Sequence, residues 1–422
     1  MSTRTVGTPV LRRLNTALVL DAVRLAAPRA QRIAEIVAAT GLTRPTVAQA
    51  VEDLLAEKLL RSAGTSPSGG AGRPAARVQL NDLAAPVVGI DLGIHSVAVA
   101  VADLAGRQVA LVREPVERRD STGVEAMFAA ARQALTRALH DAGVTASDVA
   151  GVTVGSPGIV DGERGAMVLA DAAGLLTTVD VRDRLQPLFT CTIQLENNAN
   201  LAATAIYAAQ RPRPQTLLAV QWGERLGAGI VISGQLHRGA SWSAGEIAYV
   251  NPPGRSQPVG ADVPGPLEAS IGAAGIVARA RAAAEVDADS VLRQRLQADS
   301  GAADAPLVFA AAAQGDATAV RVVDEVAASF AAAIAPIVLA LNPDALVIGG
   351  GIARAGQQLT AAIQRHLDEL TLHSPRVELS TLAQDAVITG ATTVAHDELW
   401  RRLLSRDDDR GPFVQAGEPG SA

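Results

Sequence analysis

The run Leu195-Glu196-Asn197-Asn198-Ala199-Asn200 stands where a strand gives way to a helix. The β-prone residues Cys191-Thr192-Ile193-Gln194 lead into it, and an Ala-rich helical stretch from Leu201 to Ala208 leads away. Such corners hold ligands, because the first N–H groups of a helix have no partner within it. The plainer reading is a helix cap, since an asparagine side chain accepts from those same N–H groups. An amide has no protonation equilibrium near neutral pH, so Asn198 can bond a hydroxyl but cannot take its proton.

Moving outward, Gly155-Ser156-Pro157-Gly158 lies upstream, with Gly245-Glu246-Ile247-Ala248-Tyr249 and Gly265-Pro266-Leu267-Glu268 downstream. Before them, Val87-Val88-Gly89-Ile90-Asp91-Leu92-Gly93-Ile94 opens a β-rich region that continues at Val97–Val101 and Val109–Val112. A helix is predicted over Val124–Asp141 and a buried strand over Val149–Val154, so strands come first and then alternate with helices. In order and spacing these motifs resemble the sugar-binding site of the ROK family (repressor, open reading frame, kinase). The resemblance spans roughly residues 12–400. It implies an α/β actin-like ATPase fold of the sugar-kinase type, with two lobes across a cleft. Asp91-Leu92-Gly93 matches the first phosphate loop, and Trp222-Gly223-Glu224-Arg225-Leu226-Gly227-Ala228-Gly229 the second. Leu341-Asn342-Pro343-Asp344-Ala345-Leu346-Val347-Ile348-Gly349-Gly350-Gly351 matches the segment that holds adenosine.

By that match, the sugar-binding residues are Gly155, Asn197, Asn198, Glu246, Tyr249 and Glu268. Carboxylates and amides suit sugars because vicinal hydroxyls donate and accept together. Glu246 also reads as a loop cap, Glu268 as the first turn of a helix, and Trp242 either stacks on a sugar or packs. Departures from the family pattern carry as much weight. The corner of its kinases has an aspartate, the base that takes the sugar proton, where this chain has Asn198, so no catalytic residue is expected. The threonines of both phosphate loops are missing. His95-Ser96 follows the first loop, and Glu224-Arg225 replaces the core of the second, placing negative charge where an ATP tail would lie. ATP is therefore not expected as a cofactor. The family's structural zinc is not expected either. Its histidine is replaced by Tyr249, and no cysteine lies between Pro252 and Pro266.

The 422 residues predict two or three domains, with 48% hydrophobic residues and 19% charged. A single cysteine, Cys191, excludes an internal disulfide and a Cys-rich metal site. No apolar run of about 18 residues free of charge or turn signals is apparent, and no signal-peptide pattern, so a cytoplasmic protein without membrane contact is expected. Charge is uneven. Residues 1–82 carry 11 Lys+Arg against 6 Asp+Glu, and the remainder 26 against 37. A basic head on an acidic body suggests a polyanionic partner, although a solvated surface of mixed sign fits the charge alone.

Within the head, Arg12–Leu25 reads as a helix with Leu14, Leu18, Val19 and Leu25 on one face. A second, from about Gln31 to Ala39, stops at Thr40-Gly41-Leu42. The third starts with Thr43 as N-cap and Pro45 in its first turn, and its apolar face is Val47, Val51, Leu54 and Leu55. Helix, glycine turn, helix is the helix-turn-helix pattern. Arg44, Thr46 and Gln49 cluster at the N-terminal end, which points at base edges in such motifs. Two strands follow, Leu59–Ser62 and Ala76–Leu80, joined by a Gly-rich tip that reads as a wing or as a plain linker. Gly72-Arg73-Pro74 resembles the wing signature of ROK repressors, which implies that Arg73 reaches the minor groove.

The expected organisation is a winged helix-turn-helix over residues 1–82 and a sugar-kinase-like sensing domain over 83–405, with lobes roughly 83–200 and 201–405. The tail 406–422 reads as disordered. Asn81-Asp82-Leu83-Ala84-Ala85-Pro86 is a polar junction, Pro336 is expected to kink or reposition a helix over Val320–Ala340, and two further helices fall at Gly356–Leu372 and Ala386–Leu404, the second of which the resemblance implies returns to the N-terminal lobe. No internal repeat stands out. The expected function is a sugar-responsive repressor, partnered by operator DNA and a sugar or sugar phosphate, and acting as a homodimer or dimer of dimers. The alternatives are a sugar kinase with a DNA-binding head and a DNA-binding protein that needs no ligand.

Overall fold

The computed structural model describes residues 8–66, 75–117, 123–161, 164–170, 176–252, 264–287, 290–298 and 305–405. The head contains α1 (Thr8–Ala26), β1 (Gln31–Arg32), α2 (Ile33–Thr40), α3 (Arg44–Ala56), β2 (Leu60–Ser66) and β3 (Ala75–Leu80). Its helix ends follow local chemistry. Gly41, at φ 69°, closes α2 by donating its N–H to the Val37 carbonyl, and the Thr43 hydroxyl accepts from the Thr46 N–H to open α3. Val47, Ala50, Val51 and Leu54 of α3 are buried against Val19, Leu20 and Val23 of α1. The expected α1 face is therefore rotated. Leu18 is 50% and Leu25 74% exposed, because contact with α3 selects the neighbouring stripe. Gln31 and Arg32 precede α2 as a short strand paired with β3, and with β2 they make the three-stranded sheet β1-β3-β2 of a winged helix.

The first lobe comprises β4 (Val87–Leu92), β5 (Ser96–Ala102), β6 (Gln108–Pro115), α4 (Val124–Ala142), β7 (Gly151–Ser156), a small sheet of β8 (Ile159–Asp161), β9 (Ala166–Ala170) and β10 (Leu176–Asp180), then α5 (Val181–Leu185) and β11 (Ile193–Asn197), after which α6 (Asn198–Ala209) crosses over and packs Ala203 and Ile206 on the second lobe's sheet. The second comprises β12 (Thr216–Trp222), β13 (Leu226–Ile232), β14 (Gln235–His237), α7 (Pro266–Ile271), α8 (Ala273–Val286), α9 (Val291–Ala298), α10 (Ala305–Ala313), α11 (Ala317–Leu341), β15 (Ala345–Gly349), α12 (Gln357–Leu370) and β16 (Arg376–Leu379). The main sheets run β11-β7-β4-β5-β6 and β16-β15-β12-β13-β14. The two orders correspond strand for strand, a repeat of topology without a visible repeat of sequence.

The last helix, α13 (Ala386–Leu404), packs on the first sheet, where a Cβ on Gly89 of β4 would stand 2.9 Å from Thr392. This is the return to the first lobe that the family resemblance implies for the last helix, although it lies in the stretch 201–405 otherwise assigned to the second lobe. Leu399, Trp400 and Leu403 of α13 also join the core of the head, together with Ala85, Val87 and Leu104. The junction is bonded at Asn81, whose N–H donates to the Leu59 carbonyl, and at Asp82, whose carbonyl accepts from the Leu104 N–H. Helix α11 is long and apolar enough to cross a membrane, but Val322, Val326, Phe330 and Ile334 lie in the second-lobe core, which accounts for its composition. It continues through Pro336, which is on its exposed side, where water can serve a carbonyl that loses its donor.

Candidate functional site

Three neighbouring parallel strands end together at the middle of the molecule. Asp91 of β4 is level with Gly155 of β7, and Gly155 with Glu196 of β11. Ligands of open α/β sheets gather at such carboxyl ends. Helix α6 starts one residue beyond β11, at Asn198 rather than Leu201, and α13 lies against it, with a Cβ on Gly390 2.0 Å from the Leu201 carbonyl oxygen. On its other side α6 meets β13, where Gly229 admits Ala203.

The corner divides its side chains between structure and cleft. Asn197 is the N-cap. Its Oδ1 accepts from the N–H groups of Ala199 (2.7 Å) and Asn200 (3.3 Å), and its Nδ2 donates to the Gly158 carbonyl at 2.9 Å. The plain cap reading thus describes Asn197, and a sugar hydroxyl would have to share its bonds. Asn198 donates through Nδ2 to Asp91 Oδ1 at 3.1 Å, and its buried Oδ1 has no partner among the described residues. That oxygen would stand 2.6 Å from a Cβ on Gly155, so only glycine fits there. Burial pushes the Asp91 carboxyl up to about 7, opposed by the Asn198 bond and by Arg113. Buried Glu196 accepts from Arg238 Nε at 2.6 Å, Asn200 Nδ2 at 2.8 Å and the Asn197 N–H at 3.0 Å.

Arg238 carries the corner across to the second lobe. Its carbonyl accepts from the Ala244 N–H, and its guanidinium lies 5.2 Å from the Trp242 ring centre, so Trp242 packs on an arginine. Gly245 follows at φ 93°, with its carbonyl accepting from the Ala228 N–H; a Cβ would come within 1.9 Å of the Ala228 oxygen. This close approach sets Glu246, which makes no side-chain cap, beside Tyr249 and Glu268. Glu268 is buried in the first turn of α7. Its Oε2 accepts from the Leu226 N–H at 2.7 Å, and its Oε1 lies 3.6 Å from Arg225 Nη1. Burial raises both carboxyls; Glu268 adds to the rise at Glu246, and the Leu226 N–H and Arg225 oppose it at Glu268. Tyr249 is raised by burial and then by the two glutamates.

The phosphate-loop hairpins meet across the cleft through His95 Nε2 and Glu224 Oε2, 2.7 Å apart and both mostly exposed. Sequence reasoning named both His95 and Glu224 but not their pairing, and missed Asp91 as the neighbour of Asn198 and Arg238 as the partner of Glu196. No local signal marks pairs separated by 42 to 129 residues. The residues of the family's zinc site do not fit that metal here. Tyr249 stands among carboxylates, and the sequence from Pro252 to Pro266 has neither cysteine nor histidine.

On the head, Arg44 and Gln49 are exposed at the start of α3. Arg44 makes no hydrogen bond or ion pair among the described residues. The Thr46 hydroxyl contacts that of Thr43, and the Gln49 amide donates to Asp53, which also holds Arg12. Arg73 and the wing tip lie outside the described residues.

A winged helix joined to two topologically matched lobes, whose phosphate-loop hairpins face each other, defines a protein of the actin-like sugar-kinase fold with a DNA-binding type of head. The sequence model of the ROK family matches residues 87–398, and the chain belongs to that family. A glucokinase of Halalkalibacterium halodurans is 30% identical over 312 residues, 72% of this chain and 92% of its own length. A xylose repressor of Caldicellulosiruptor bescii is 26% identical over 209 residues, 49% of this chain and 51% of its own. The fold is also that of a ROK family transcriptional regulator of known structure, a homolog of the E. coli MLC protein, with a TM-score of 0.73 at 20% identity over 94% of this chain and 98% of that one.

Proposed function

We propose that this protein is a sugar-responsive transcriptional repressor whose kinase-like cleft binds carbohydrate without phosphorylating it. The observation that carries the reading is Asn198, an amide at the base position whose one assigned bond is to Asp91. The corner can present donors and acceptors to hydroxyls, and Asn198 itself takes no proton. Asn198, Glu246, Tyr249 and Glu268 bind the sugar, with Gly155 forming the floor and Asn197 holding the corner. The His95–Glu224 bridge stands where an ATP tail would pass, which argues against ATP as a cofactor, and the replaced zinc ligands around Tyr249 argue against zinc. Arg44 and Gln49 read base edges, Thr46 sets the start of the helix, and Arg73 reaches the minor groove, in a dimer that spaces two heads on an operator. Similarity to a xylose repressor and the shared core of head and α13 support transmission from cleft to head.

The test is an operator shift measured with a panel of monosaccharides and their phosphates. A sugar that changes affinity 5–150-fold, the ordinary range of about 1–3 kcal/mol, supports the reading; no change with any sugar refutes it. Arg44→Ala should weaken specific binding selectively, and Arg73→Ala should lower affinity evenly and flatten the salt slope. The glucokinase similarity and the raised Asp91 carboxyl favour a second reading, a sugar kinase carrying a head, with Asp91 as the proton acceptor. ATP turnover with a hexose or pentose, abolished by Asp91→Asn, would establish it.

A further inference from the structure

Head and body meet around a cavity of about 610 Å³, apart from the cleft between the lobes. Arg24 near the end of α1, Arg29 in the following turn, Arg61 of β2 and Arg107 in the β5–β6 turn contribute to its walls. Asp82 of the junction and Trp400 of α13 complete them. The volume is that of a site for a small metabolite. Arg24, Arg29 and Arg61 belong to the head and Arg107 to the body, so the full set is assembled only where the two pack together.

Asp82 is bonded from both sides of this junction. Its Oδ2 lies 3.7 Å from Nη2 of Arg61, on the head, and 3.1 Å from Nη2 of Arg107, on the body. Buried Asp103 takes Nε and Nη2 of Arg107, and Asp21 takes Nε and Nη2 of Arg24. Glu35 takes Nη1 of Arg29 at 3.2 Å, whereas the Nη1 groups of Arg24 and Arg107 make no bond among the described residues, which leaves donors free on two of the four arginines. The Arg24 guanidinium lies over Trp400, 4.9 Å from the ring centre. An oxyanion between a head arginine and a body arginine is already the bonding pattern here, and Asp82 supplies it from a partly exposed loop.

We propose that this cavity binds a small phosphate-bearing anion, which takes the place of the Asp82 carboxylate between Arg61 and Arg107. A phosphate has more acceptor oxygens than a carboxylate and spans two guanidiniums in the bidentate geometry they favour. Exposed pairs such as those of Asp82 are weak, so a dianion displaces it readily. The bound anion then touches head and body at once. The site does not depend on how the cleft is used.

The probe is inorganic phosphate, titrated by calorimetry into the full chain at constant ionic strength with chloride as the reference salt. Saturable binding is expected, weakened roughly tenfold or more by R61Q/R107Q and tightened several-fold by Asp82→Asn, which removes the competitor. The two variants move affinity in opposite directions, so a general loss of folding cannot imitate the pair of results. Absence of saturable binding overturns the proposal. So does binding indifferent to both variants, which would place the phosphate at the cleft loops, and so does an Asp82→Asn protein that binds no more tightly.

Discussion

Each lobe opens with the same antiparallel hairpin, yet the acids near the two corners live in different surroundings. In the first lobe Asp91 is bonded by Asn198 and kept protonated to about pH 7, and neighbouring Glu196 is buried beneath Arg238, Asn200 and a backbone N–H. In the second, Glu224 stands in solvent and reaches His95 of the opposite hairpin. The chemistry is a carboxylate against a donor in each place; access to water sets its worth. Stripping a buried carboxylate of its partner costs about 3–5 kcal/mol, whereas an exposed pair contributes about 1 kcal/mol or less. The corner of the first lobe is thus fixed by its own bonds, and the bridge between the hairpins is a surface contact.

The hardest test of that contrast is Arg238→Met, expected to lower unfolding stability by about 3–5 kcal/mol in urea titrations; a loss within about 1 kcal/mol would erase the distinction. Asp91→Asn comes next. The folded carboxyl titrates near 7 and the unfolded one near its ordinary 3.8, so the folded state holds the extra proton between those values. Stability is lost as pH rises through that window, by an amount on the order of a few kcal/mol. The variant should lack this fall in melting temperature between pH 5 and 8, pH values chosen to span roughly the Asp91 transition. Asn198→Asp places a second acid on Asp91, so its melting temperature should fall faster than the parent's above pH 7, and a coupled ATP assay should find no robust sugar phosphorylation, because the loop threonines are also absent. The smallest effect belongs to Glu224→Gln, which should change stability by less than about 1 kcal/mol and lose even that in high salt.

Local signals read well in this sequence. The Thr43 cap, the Gly41 stop and the strands beginning at Val87 fell where sequence reasoning put them, since each is decided by bonds within a few residues. The buried stripe of α1 did not, because Leu18 and Leu25 are as apolar as Val19 and Val23, and only the position of α3 chooses between them. The site was half legible. Its motifs marked Asn198 and Glu268 and the corner around Glu196, while the bonds that hold these three come from Asp91, Leu226 and Arg238, each more than 40 residues from its partner. The matching of the two lobes was invisible for a similar reason. Strand order is a property of pairing, and many sequences satisfy one order.

The shared core of the head and α13 bears on how the chain is made. Translation delivers the head first, but its last packing partners, Leu399, Trp400 and Leu403, follow some 300 residues later. At about 5–20 residues per second, the ribosome leaves the nascent head unfinished for tens of seconds. Closure of the head's core therefore waits on the synthesis of α13, and a polypeptide interrupted before that helix would emerge with a greasy, unsealed head.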